Sequence, residues 1–165
     1  MHTIRFLALI LFACNLSAVE TLRLPNIFGP KMVLQQGKPV HVWGWAKAGA
    51  EVKAQFAGQS KSAKADGEGQ WLLLLDKLET SFKGRELVVT SGTEKITLTD
   101  ILVGEVWVCG GQSNMEDVLE SIYHGDTEVL SANFPTIRLM TIPQKATNEP
   151  QDDIERINEF NAWEN

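Results

Sequence analysis

The sequence predicts an antiparallel β-sandwich followed by the start of a parallel α/β unit. Two observations carry that expectation. Apolar and polar residues alternate with period two from about Leu22 to Leu98, and after Thr99 a short continuous apolar run gives way to helical spacing. The chain has 165 residues, 15 Lys+Arg against 21 Asp+Glu, and a formal net charge of −6. That length holds one ordinary domain or two small ones. Fractions of 44% hydrophobic and 22% charged residues are those of a globular chain, which excludes wholesale disorder and a collagen-like repeat. The acidic balance supplies no basic face for nucleic acid. Two cysteines, Cys14 and Cys109, are too few for a disulfide scaffold or a cysteine-rich zinc site.

Residues 1–18 read as a secretory signal peptide. Arg5 is the only charge, Phe6 to Ala13 form an apolar run of eight, and Leu16-Ser17-Ala18 ends on a small residue suited to cleavage. Eight apolar residues are too few to span a bilayer, which needs about 20. A rival reading makes Leu11-Phe12-Ala13-Cys14 a bacterial lipoprotein site with Cys14 lipidated, although Phe12 is bulky for it. The expected location is therefore secreted or periplasmic, with lipid anchoring through Cys14 as the alternative. Cleavage after Ala18 leaves Cys109 as the sole cysteine.

Residues 19–99 carry the strand signals. Val40, Val42 and Gly44 alternate with His41, Trp43 and Trp45, and Val52, Ala54 and Phe56 with Glu51, Lys53 and Gln55. Trp71, Leu73 and Leu75 share one face, as do Leu87 with Val89 and Ile96 with Leu98. Asp66-Gly67-Glu68-Gly69 and Ser91-Gly92-Thr93 read as hairpin turns. Six or seven short strands at this spacing suggest a sandwich.

Residues 100–165 read differently. Val106-Trp107-Val108-Cys109 is a candidate strand buried on both faces. Met115, Val118, Leu119 and Ile122 then recur at helical spacing, and Ile137 to Ile142 is a second strand candidate. Strand, helix and strand make one βαβ unit, which cannot by itself cover both faces of its strands.

The chemistry concentrates at Gly110-Gly111-Gln112-Ser113-Asn114-Met115. A serine between a parallel strand and a helix stands at the sheet edge where α/β proteins bind ligands. Backbone N–H groups at a helix start can receive an oxyanion. A phosphate-cradling loop is excluded because no Lys follows, and Met115 stands where the α/β-hydrolase elbow needs glycine. By spacing alone, Ser113 suits a helix N-cap as well as a nucleophile.

The run Gly104-Glu105-Val106-Trp107-Val108-Cys109-Gly110-Gly111-Gln112-Ser113-Asn114-Met115-Glu116 resembles the first catalytic block of the sialate O-acetylesterase family. The likeness extends upstream through Leu24 to Gln36 and Pro39 to Ala46, and downstream through Ala132 to Leu139 and Pro150 to Asp153. It implies a carbohydrate esterase whose β-sandwich module precedes a flavodoxin-like SGNH-hydrolase domain. It also implies that Ser113 is the nucleophile, with its backbone N–H as one oxyanion donor. Gln112 and Asn114 would shape the site or contact substrate. Acyl transfer of this kind requires no metal or organic cofactor. The implied partner is an O-acetylated sugar, with no nucleic acid, metal or membrane span.

The family's base lies in an Asp-x-x-His block that has no counterpart here. His2 falls in the signal segment and His41 in a sandwich strand, while His124 has Ser121 three residues before it. His124 is expected to close a helix ahead of Gly125, where a cation suits the dipole. The expectation is therefore an N-terminal esterase fragment, inactive alone and, for want of partner strands, prone to aggregate. Two alternatives stand beside it: a non-catalytic glycan-binding or scaffolding β-sandwich module, and an acetylxylan-type esterase of the same fold. Cys109 is expected to pack, Trp71 to fill the core, and Asp152-Asp153 with Glu155 to form a solvated turn.

Overall fold

The computed structural model describes residues 21–115, 117–155 and 163. The signal segment and Glu116 lie outside the described residues. Among the described residues seven strands form: β1 (Val33–Gln35), β2 (Val40–Trp45), β3 (Glu51–Phe56), β4 (Gln59–Lys64), β5 (Gln70–Leu75), β6 (Ser81–Ser91) and β7 (Glu94–Gly104). They build a five-stranded sheet in the order β1-β7-β6-β3-β4 and a two-stranded sheet of β2 with β5. Only β1 and β7 pair in parallel, Val33 with Leu102 and Gln35 with Gly104.

Strict alternation explains why these segments bury one face. In β3, Val52, Ala54 and Phe56 point inward, and in β5 Trp71, Leu73 and Leu75 do the same. With Leu87, Val89, Ile101 and Val103 they form one hydrophobic cluster to which both sheets contribute. β4 alternates only between half-buried and exposed residues, with Ala63 reaching the core. It is the polar edge of the larger sheet, and its Lys61 and Lys64 discourage further pairing.

The two expected hairpins part ways. Ser91 pairs with Glu94, and Gly92 at φ +57° closes a two-residue turn between β6 and β7. Asp66 to Gly69 makes no hairpin, because β4 and β5 belong to different sheets. Asp66 Oδ1 instead accepts the N–H groups of Glu68 and Gln70, both at 2.9 Å, and turns the chain from one sheet to the other. A bulge interrupts β7 farther along. From Leu87 to Arg85 the partner strand spends one more residue, Leu98 to Ile101, and Asp100 adopts a left-handed conformation at φ +57°.

The expected βαβ unit does not form among the described residues. Val106 to Cys109 has no strand pairing, and Trp107 and Val108 are 81% and 97% exposed. An apolar run buried on both faces needs a strand on either side, and no described residue supplies one. Cys109 is accordingly an exposed free thiol rather than a packed residue. The helix expected from Met115 to Ile122 is replaced by two short 3₁₀ turns, Ser113–Met115 and Leu119–Ser121. Without a sheet to receive its apolar stripe, this segment gains little from helix formation. The α-helix comes later, as α1 (Gly125–Ser131), and Ile137 to Ile142 contributes only an isolated bridge at Leu139.

Candidate active site

Ser113 opens the first 3₁₀ turn, which Met115 N–H closes on Gln112 C=O at 2.8 Å. Gln112, Ser113 and Asn114 are all exposed, so the three residues expected to act together lie adjacent and open to solvent. Gly111 passes so close to the Met115 side chain that a Cβ there would overlap its Cγ. Any side chain there would displace the exposed Met115 side chain.

The loop that carries Ser113 is fastened at its root. Glu105 accepts Gln35 Nε2 at 3.0 Å and Gln36 Nε2 at 2.6 Å, and Gln35 Oε1 accepts Val106 N–H at 3.0 Å. The Gln36 amide first, and then that of Gln35, holds the Glu105 carboxyl below the usual glutamate range. The parallel pairing of β1 with β7 brings these groups together. Nothing along the chain marks this meeting, because Gln35 and Glu105 are 70 positions apart.

A second fastening holds the downstream segment. Arg138, whose side chain is 6% exposed, donates from its guanidinium to Asp100 Oδ2 at 3.0 Å. The bulge and the left-handed backbone at Asp100 place that carboxylate, and Gly84 beside it leaves no room for a Cβ. A third concerns Asp153, which is not the solvated acid expected. Its Oδ1 accepts the N–H groups of Asn26 and Ile154, both at 2.8 Å, and its Oδ2 meets Arg23 at 3.3 Å.

His124 requires a correction. It precedes α1 as the N-cap, in a left-handed conformation at φ +61°, and does not close a helix. A cation there would face the positive end of the helix dipole, whereas Asp126 and Glu128 in the first turn suit it. The His124 carbonyl accepts the N–H groups of Thr127 at 3.1 Å and Glu128 at 3.2 Å, the first bonds of the helix, and Gly125 packs against the Leu119 carbonyl with no space for a side chain. The His124 ring lies 3.9 Å from that of Tyr123. His41 is exposed on β2. No group of three His, Cys, Asp or Glu residues able to hold a metal occurs among the described residues.

Trp71 lies where the sequence places it. Trp71 is buried in the core at 3% exposure, and Trp43 and Trp45 are half-buried together on the other face of their sheet. Phe28 meets Trp43 edge-on, with centroids 4.8 Å apart, and the Arg23 guanidinium lies 3.5 Å over the Trp45 ring.

The likeness to solved and curated proteins concerns the chain as a whole. The chain superposes on a carbohydrate acetylesterase from Xanthomonas citri with a TM-score of 0.81 and 30% identity, over 87% of this chain and 32% of that one. Its curated relatives are sialate O-acetylesterases: the human protein at 31% identity over 161 residues and the mouse protein at 27% over 160. These cover 88% and 90% of this chain respectively, and the chain spans about 30% of the length of either relative. No family model matches the sequence. The chain is thus similar over most of its length to sialate O-acetylesterases and to a solved carbohydrate acetylesterase. No described helix is long and apolar enough to cross a membrane.

Proposed function

We propose that the chain supplies the nucleophile of a carbohydrate O-acetylesterase acting on O-acetylated sialic acid or a related sugar. The observation that carries this is the exposed Ser113 at the start of its turn, on a glycine-flanked loop whose root Glu105 clamps to the sheet. Ser113 Oγ attacks the acetyl carbonyl, its proton passes to a base, and the backbone N–H of Ser113 donates to the oxyanion. The sugar leaves as its alcohol, giving acetyl-serine. Water then cleaves that ester to acetate and restores the hydroxyl. Gln112 and Asn114 flank the reacting centre and contact the substrate.

The base is not among the residues described above, and the active enzyme is a longer protein in which this chain is the N-terminal part. Residues 1–18 direct it to export, leaving a sandwich module over 19–99 and the beginning of the SGNH domain over 100–165. Acetate release from O-acetylated sialic acid and from acetylated xylan tests the reading. This chain alone should release none. The longer enzyme should turn over, and Ser113→Ala in it should lower kcat by at least about a thousandfold. Full turnover by the Ser113→Ala enzyme would sink the proposal. Preference for acetylated xylan would keep the nucleophile and change the sugar.

A further inference from the structure

Beside the two-stranded sheet lies an open groove of about 390 Å³, whose lining includes Trp43, Trp45, Lys64, Asp66, Gln70 and Trp71. That volume falls in the range of small-ligand sites, which run roughly 300–1,000 Å³. The β2–β5 register sets Trp45 opposite Gln70, which puts an indole and an amide side by side on the outer face. Both outer tryptophans are braced by residues that do not line the groove: Phe28 against Trp43 and Arg23 over Trp45. Their rings are held before any ligand arrives, which lowers the ordering cost of binding.

The polar groups of the groove are underused. Lys64 is exposed and has no ion-pair partner among the described residues. Asp66 uses Oδ1 for its own turn, and its Oδ2 has no hydrogen-bond donor among the described residues. An apolar ring face beside an ammonium group, a side-chain amide and one free carboxylate oxygen matches a pyranose, which presents a C–H face and a rim of hydroxyls.

We propose that this groove is a saccharide-binding subsite taking one pyranose unit of a glycan. The ring lies on Trp43 and Trp45, Lys64 donates to its oxygens, and Asp66 and Gln70 accept its hydroxyls. The ligand class rests on the carbohydrate-esterase reading, while the site itself is independent of Ser113.

Calorimetric titration of the full chain with xylotetraose and with 3′-sialyllactose tests it. Saturable binding of at least one probe is expected, weakened about tenfold or more in Trp45→Ala and in the exposed double variant Lys64→Ala/Gln70→Ala. Ser113→Ala should bind as the unaltered chain does. That variant separates the two proposals, since loss of esterase activity in the longer enzyme leaves groove binding intact. The probe that binds tells a neutral from an acidic sugar. Absence of saturable binding to either probe by a folded chain would overturn the subsite, as would binding that the double variant retains or Ser113→Ala loses.

Discussion

Replacing Asp153 by alanine removes three interactions at once: Oδ1 with the N–H groups of Asn26 and Ile154, and Oδ2 with Arg23. The Arg23 contact contributes little, because that side chain is 52% exposed and surface ion pairs average about 0–1 kcal/mol. The Asn26 N–H matters more. It is part-buried, and losing its acceptor leaves a donor whose desolvation costs about 1–3 kcal/mol. Ile154 N–H stands in the same position, but its carbonyl also holds Asn26 Nδ2 at 2.8 Å, so the segment keeps one tie. Together these give a loss of about 2–3 kcal/mol for Asp153→Ala. Asp153→Asn preserves an oxygen acceptor and should lose under about 1 kcal/mol. A chain of this length loses about 3 °C of Tm per kcal/mol, so thermal melts followed by circular dichroism should fall about 6–9 °C for the alanine variant. Because these bonds tie one segment to the 22–28 loop, amide exchange at Asn26 is the sharper assay, and protection there should drop first. An Asn26 amide that exchanges no faster in Asp153→Ala, with an unchanged melt, would refute the reasoning.

Gly44→Ala should cost about 1–3 kcal/mol or more, since the new Cβ would collide with the Arg23 carbonyl and press on the Trp71 ring; chemical denaturation measures it. The Glu105 clamp should respond to pH. Its carboxyl is held low in the folded chain, so the clamp is fully present above the ordinary glutamate range and is lost as pH falls through the depressed value. The side-chain amide resonances of Gln35 and Gln36 should shift over that acid step, and Glu105→Gln should abolish the step.

Much of the strand pattern was legible because it depends on neighbours along the chain. Val52, Ala54 and Phe56 alternate in sequence as they alternate in burial, and the strand ends at Glu51 and Phe56. β4 escaped notice because Gln-Ser-Lys-Ser-Ala-Lys offers no apolar face, its pairing being supplied by β3. The turn at Asp66 announced itself, but which sheet it would enter depends on long-range pairing that no turn residue encodes. Val106 to Cys109 misled for a related reason: an apolar run states that a segment could be buried, and only adjoining strands decide whether it is. Near Ser113 the motif was plain from its residues. The Glu105 clamp and the Arg138–Asp100 pair were not, since each joins positions far apart whose side chains carry no mark of their partners.

The bulge at Asp100 has a consequence for the whole strand. Before it, the even-numbered residues Ile96 and Leu98 turn toward the core; beyond it, the odd-numbered Ile101 and Val103 do so. One supernumerary residue therefore reverses the parity of β7 midway and lets a single strand serve the core with both halves of its sequence. Were that residue absent, Ile101 and Val103 would leave the core cluster, Leu102 from the opposite buried face would turn into it, and the approach to Gly104 would arrive rotated by half a turn. The orientation in which the chain leaves the sheet toward Ser113 is thus encoded thirteen residues upstream, in an aspartate that touches none of the chemistry.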